Sequence, residues 1–170
     1  MKEFIGRARR EVCVILVSMQ LTLCQVGAKA RKQDAYDGLV CDYLKRCVGV
    51  ARCESQAFPS ETAFFDWIGR KKGRTEPAVL ILDALGRQMS SVALAEWLNA
   101  RRNDGTQHVI LAVGPADGWS DAARAEGKRR GGLLSLGPMT LAHQLARLVM
   151  AEQIYRACTI LTGHPYHKGH

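Results

Sequence analysis

The sequence predicts an α/β domain built on an open, largely parallel sheet with helices on both faces. Three observations predict it. Two short continuous apolar runs, Ala78 to Leu82 and His108 to Val113, have the length and β-branched content of strands buried on both sides. Stretches with apolar residues at steps of three and four alternate with such runs, as they do when helices cross between parallel strands. Each strand-like run also ends in Gly, Pro or Asp, the residues that turn a chain over the edge of a sheet.

Length and composition set the bounds. At 170 residues with 47% apolar content, the chain can bury one real core and is not a disordered segment. A net charge of +8 favours an anionic partner such as nucleic acid, with an ordinary basic protein as the plain alternative. The six cysteines form no C-x-x-C pair and read as buried thiols of a cytoplasmic protein. No run of 18 apolar residues is present to form a spanning helix.

In chain order, residues 1–18 join a basic start to the apolar Val14-Ile15-Leu16-Val17, the outline of a weak leader with no small-residue cleavage site. The strand pattern begins at Met19 and ends at Gly27, so Met19 is the expected start of the domain. We expect two regions, an N-terminal extension over 1–18 and a single domain over 19–170.

A helix is predicted from Gln33 to about Val48 through Tyr36, Leu39, Val40, Tyr43, Leu44 and Cys47. Val50 to Phe58 reads as a strand stopped by Pro59, and Ser60 offers a cap to a short aromatic helix. The basic run Arg70-Lys71-Lys72-Gly73-Arg74 is either a phosphate-neutralising patch or a solvated loop.

After the strand ending at Asp83, Ser90-Ser91 caps a helix closed by Asp104-Gly105. The His108 to Val113 strand runs into Gly114-Pro115-Ala116-Asp117-Gly118, and a basic helix spans Ser120 to Arg130. Leu133, Leu134 and Leu136 begin the last strand. A long amphipathic helix is predicted from Thr140 to about Thr162, with Leu141, Leu145, Leu148, Ala151, Ile154, Cys158 and Leu161 on its buried stripe and Gly163 as its stop.

Ligands of such sheets sit at the carboxyl ends of strands. Three strand ends stand out: Leu82-Asp83, Gly114 to Gly118, and Leu136 to Leu141. The histidines of the tail, His164, His167 and His170, are better read as polar residues than as a metal site, so no metal is expected.

The C-terminal third carries a more specific signal. Ser135-Leu136-Gly137-Pro138-Met139-Thr140-Leu141-Ala142-His143-Gln144-Leu145-Ala146-Arg147, then Glu152-Gln153-Ile154-Tyr155-Arg156-Ala157, then Pro165-Tyr166-His167-Lys168 resemble the signature of the RlmH family, which methylates pseudouridine in 23S ribosomal RNA. Gly137 stands where that signature has serine and Ala142 where it has proline. In the glycine loop, Pro115 stands for the second glycine.

The resemblance implies a SPOUT-type fold with a C-terminal trefoil knot. A homodimer is expected because one small domain offers little surface to a large RNA and because Val149, Met150 and Ile160 lie off the stripe of the last helix, where pairing would bury them. The resemblance also implies S-adenosylmethionine as cofactor, with Leu82, Gly114, Leu136, Gly137, Pro138, Met139, Thr140 and Leu141 as its contacts. The implied reaction is methylation at N3 of a pseudouridine in helix 69 of 23S rRNA, on the assembled 70S ribosome. His143, Arg156, Tyr166 and His167 are then the expected catalytic residues. The plain readings are that Arg156 pairs with Glu152 one turn away and that His143 packs against its turn. Two other functions stay open: a catalytically silent ribosome-binding or assembly factor of the same fold, and a SPOUT enzyme acting on transfer RNA.

Overall fold

The computed structural model describes residues 19–27, 35–71 and 73–166. The expectations for residues 1–18, Lys72, His167, Lys168 and His170 lie outside these. Five strands and five helices follow in order: β1 (Gln20–Val26), α1 (Ala35–Arg46), β2 (Arg52–Phe58), α2 (Glu61–Gly69), β3 (Ala78–Gln88), α3 (Ser91–Asn103), β4 (His108–Val113), α4 (Asp121–Arg130), β5 (Gly132–Ser135) and α5 (His143–Thr162). The strands form one sheet in the order β2-β1-β4-β3-β5, every neighbouring pair parallel.

The strands alternate their side chains between two cores. Leu21, Leu23, Leu80, Val109 and Leu111 pack with residues of α1, α3 and α5. Cys24, Val26, Val79, Ile81, Ile110 and Ala112 pack with α2, α4 and Trp119 on the other face. β1 therefore differs from a half-exposed alternating strand: all residues from Leu21 to Val26 are buried, because it lies inside the sheet with helices over both faces.

Three helices begin on a serine whose hydroxyl accepts from the backbone three residues on. These are Ser60 with Ala63 N, Ser90 with Ala93 N, and Ser120 with Ala123 N. Each removes one orphan donor from a helix start.

α5 departs from expectation at its start and on its buried face. It begins at His143, not Thr140, since Leu136 to Ala142 form the wall of a cavity instead. Leu145 is 39% exposed, whereas Ala146, Arg147 and Met150 are buried. An ion pair from Arg147 to Asp37 on α1 draws that side of the helix inward. Gly163, at φ 66, ends the helix in the left-handed conformation.

β3 also runs further than the apolar run suggested. Leu134 on β5 pairs with both Leu82 and Arg87, so residues 83–86 loop out of the ladder as a bulge before pairing resumes. Gly86 explains how the bulge fits: a Cβ there would lie 2.5 Å from the backbone carbon of Leu134. Only a bare backbone passes so close to β5.

Candidate active site

A cavity of about 610 Å³ opens at the carboxyl ends of β3, β4 and β5, within the usual size range of a cofactor site. All eight expected cofactor contacts line it: Leu82, Gly114 and the six residues from Leu136 to Leu141. His143 lines it as well. Leu85 and Met139 stand exposed beside it, at 78% and 79%.

Each of the three loops is pinned. At the end of β3, Asp83 accepts from Leu85 N and from Arg124 Nε, both at 2.8 Å. The carboxylate is nearly covered at 4% exposure, and the pair ties the bulge to α4. Arg124 reaches Asp121 as well, and these two carboxylates hold its guanidinium above its ordinary pKa, with Asp83 the larger influence.

After β4, the Trp119 indole donates to Leu82 O at 2.7 Å. A Cβ on Gly114 would sit 2.5 Å from that indole nitrogen, so the glycine is what lets Trp119 reach the floor. Pro115 accepts from Gly118 N at 3.0 Å and presses on Gly27, where a Cβ would approach to 2.9 Å. Behind the loop, Glu61 takes both Ser120 N and Ser120 Oγ.

After β5, Ser135 Oγ bonds both the N–H and the carbonyl of Gly137 at 3.2 Å. Gly137 has φ 120 with open space beside it, so backbone conformation and not crowding is what favours glycine over the family's serine.

The wall is largely backbone and small apolar groups, with the carboxylate of Asp83 already paired. Such a lining suits the flat, polar-edged adenine and the methionyl chain of S-adenosylmethionine. Pro115 offers that wall a carbonyl but no N–H.

His143 is half-buried, and its Nε2 has no hydrogen-bond partner. Burial first, and the charge of Arg147 second, lower its pKa, so the ring is neutral at pH 7. Arg156 lies thirteen residues further along α5, roughly 20 Å away at the helical rise. It pairs with Glu152 at 2.7 Å and lies over the Tyr166 ring at 4.9 Å. Tyr166 donates to Glu152 at 3.2 Å and packs on Tyr155. One chain thus brings His143 to the cavity and leaves Arg156 and Tyr166 at the far end of the helix.

The basic run resolves differently. Lys71 lies over Trp67 at 4.2 Å, and that ring packs on Phe58 and His108, which favours the loop beside a core helix. Sequence reasoning missed Trp119, Arg124, Arg147 and Asp37. A lone arginine or tryptophan shows its partner only once distant segments meet. Asp83 alone carried a signal, as the polar end of an apolar strand. Among the described residues no His, Cys, Asp and Glu cluster could hold a metal ion.

A parallel sheet with a cavity over its carboxyl ends, walled by three pinned loops, is the place where open α/β folds hold a ligand. The class is a SPOUT methyltransferase: the family described as "Predicted SPOUT methyltransferase" matches residues 19–167. Within that class the chain belongs to the family of ribosomal RNA large subunit methyltransferase H. The protein of that name from Koribacter versatilis is 40% identical, over 89% of this chain and 100% of the other. The one from Trichlorobacter lovleyi is 38% identical over 78% and 85% of the two chains, and the one from Rhizobium meliloti 40% identical over 70% and 74%. A Legionella pneumophila protein solved with the cofactor S-adenosylmethionine bound superposes with a TM-score of 0.41 at 16% identity, over 84% of this chain and 66% of that one.

Proposed function

We propose that this protein transfers the methyl group of S-adenosylmethionine to N3 of a pseudouridine in helix 69 of 23S rRNA, acting as a homodimer on the assembled 70S ribosome. The observation that carries the reading is the convergence of three strand-end loops and His143 on one cavity. The relatives' names supply the ribosomal RNA substrate, and the signature in residues 135–168 supplies the base. The reading places the protein with the ribosome in the cytoplasm. No described helix is long and apolar enough to cross a membrane.

The cofactor supplies an electrophilic methyl on a sulfonium. This chain's residues have two tasks. The first is to hold the acceptor nitrogen in line behind that methyl, which falls to the loops around Leu82, Gly114 and Leu136 to Leu141. The second is to take the N3 proton, since the nitrogen attacks only as its proton leaves. A neutral His143 has the chemistry of that base; its Nε2 has no partner but is covered in the single chain, so the substrate must uncover it to pass the proton.

Arg156, Tyr166 and His167 act from the partner protomer in this reading, because one chain keeps Arg156 and Tyr166 far from its own cavity. Apolar residues left on the surface of α1 and α5, Tyr36, Leu39 and Leu145, offer the area for pairing. Of the off-stripe residues that suggested pairing through α5, Met150 is in the chain's own core, while Val149 and Ile160 are half-buried. The trefoil knot of this reading rests on the family resemblance, and the tight approach of Gly86 to the β5 backbone is the contact between β3 and β5 that it would include. The domain of this reading starts at Met19.

Mass spectrometry of helix 69 from a strain lacking the gene tests the reading: the methylated pseudouridine should vanish and return when purified protein and S-adenosylmethionine meet 70S ribosomes. The missing N–H at Pro115 favours a second reading, a silent assembly factor. Calorimetry decides between the two, because a silent factor binds no S-adenosylmethionine.

A further inference from the structure

α5 carries two polar side chains inward one turn apart. His143 opens the helix at the cavity wall, and Arg147 is buried to 8% exposure. The Arg147 guanidinium donates to Asp37 on α1 at 2.5 Å and to Ser55 Oγ on β2 at 3.4 Å, so two separate elements fix it. Burying an arginine costs free energy that an apolar residue would not, which points to a task beyond packing.

The task is visible in what surrounds His143. Residues i and i+4 share a helix face, so the fixed guanidinium lies on the imidazole's side of α5, near enough for its charge to act on the ring. The ring also sits at the positive end of the α5 dipole and is half-buried. The remaining charges of the cavity wall, Asp83 and Arg124, are paired with each other at 2.8 Å, and Asp37 is engaged by Arg147. No carboxylate is left in that wall to stabilise an imidazolium.

We propose that Arg147, clamped by Asp37 and Ser55, is a positioning residue that holds His143 in its neutral, proton-accepting form. The proposal rests on the base role given to His143 above. It predicts that catalysis persists at mildly acidic pH, where an unconstrained histidine would already be charged.

The test is a ring-proton NMR titration of His143 in the full chain, its signal assigned by its loss in His143→Gln. Arg147→Lys should titrate like the parent. Arg147→Gln should titrate at higher pH. So should the double variant Asp37→Asn/Arg147→Gln, which removes the pair together and spares the fold an uncompensated carboxylate. On the acid limb of the methyl-transfer profile, both Gln-containing variants should lose about three- to tenfold in rate, with Arg147→Lys unaffected. An unchanged His143 titration in the folded double variant overturns the proposal. If the titration moves while the acid limb stays, Arg147 sets the charge of His143 as proposed, and it is the base role of His143 that fails.

Discussion

The Trp119 indole N–H is bonded to the carbonyl of Leu82 at 2.7 Å, which fastens the loop after β4 to the last apolar residue of β3 before its bulge. The two loops are therefore one wall. Trp119→Phe keeps the ring in its aromatic neighbourhood with Phe64 and Phe65 and removes only that bond. We expect about 1 kcal/mol lost from the wall and S-adenosylmethionine bound about fivefold more weakly by calorimetry. Binding equal to the parent would show that the loop holds its place without the bond.

Two glycines separate crowding from flexibility. Gly86→Ala forces a methyl into the backbone of Leu134, which has no side chain to swing aside, and should cost about 3 kcal/mol in urea unfolding. Gly38, in α1, has nothing within 4 Å of its would-be Cβ. Gly38→Ala should stabilise the protein by about 0.5–1 kcal/mol through helix propensity alone.

His108 gives the fold an acid-sensitive joint at the end of the sheet opposite the cavity. Thr22 Oγ1 donates its one proton to Glu54, so the 2.8 Å bond between Thr22 and His108 needs the proton on His108 Nε2. Burial, then the charge of Lys71, brings the His108 pKa down to about 4. The folded value lies below the unfolded one, so the unfolded chain takes up the proton first. Stability should thus fall as the pH drops from about 6.5 to about 4, by about 1–2 kcal/mol once solvent screening of a partly exposed ring is allowed for. His108→Gln should flatten unfolding midpoints across that window; an equally steep decline would assign it to other groups.

The tail tests the dimer. Tyr166 is seated on Tyr155 and Glu152, so deleting residues 165–170 should lower the unfolding midpoint by only a few degrees while methyl transfer falls about a hundredfold. Mixed with a His143→Ala chain, the truncated protein should regain about a quarter of parental activity if tails serve the partner's cavity, since half the dimers then hold one whole site. A tail that serves its own chain would recover nothing.

The fold was legible because its signals are local. The buried runs of β3 and β4, and the serine caps at 60 and 90, depend on neighbours within a few residues. The cofactor loops were legible only through family resemblance, since GPADG by itself is a turn. What stayed hidden depends on tertiary encounters. The inward turn of Arg147 needs Asp37, 110 residues away in sequence. The resumption of β3 at Arg87 needs β5 alongside it. The apolar stripe of α5 was misread at Leu145 for the same reason, because an ion pair outweighed the side-chain pattern.

The bulge of β3 also has a consequence in time. Its partner β5 begins at Gly132, and the segment that completes the cavity follows at once, so three-quarters of the chain is made before the wall can close. A ribosome that has made the chain only as far as Arg130 carries a β3 with an unpaired edge and a cavity that lacks its third wall. The cofactor wall therefore closes late in synthesis, once β5 has joined the edge of β3.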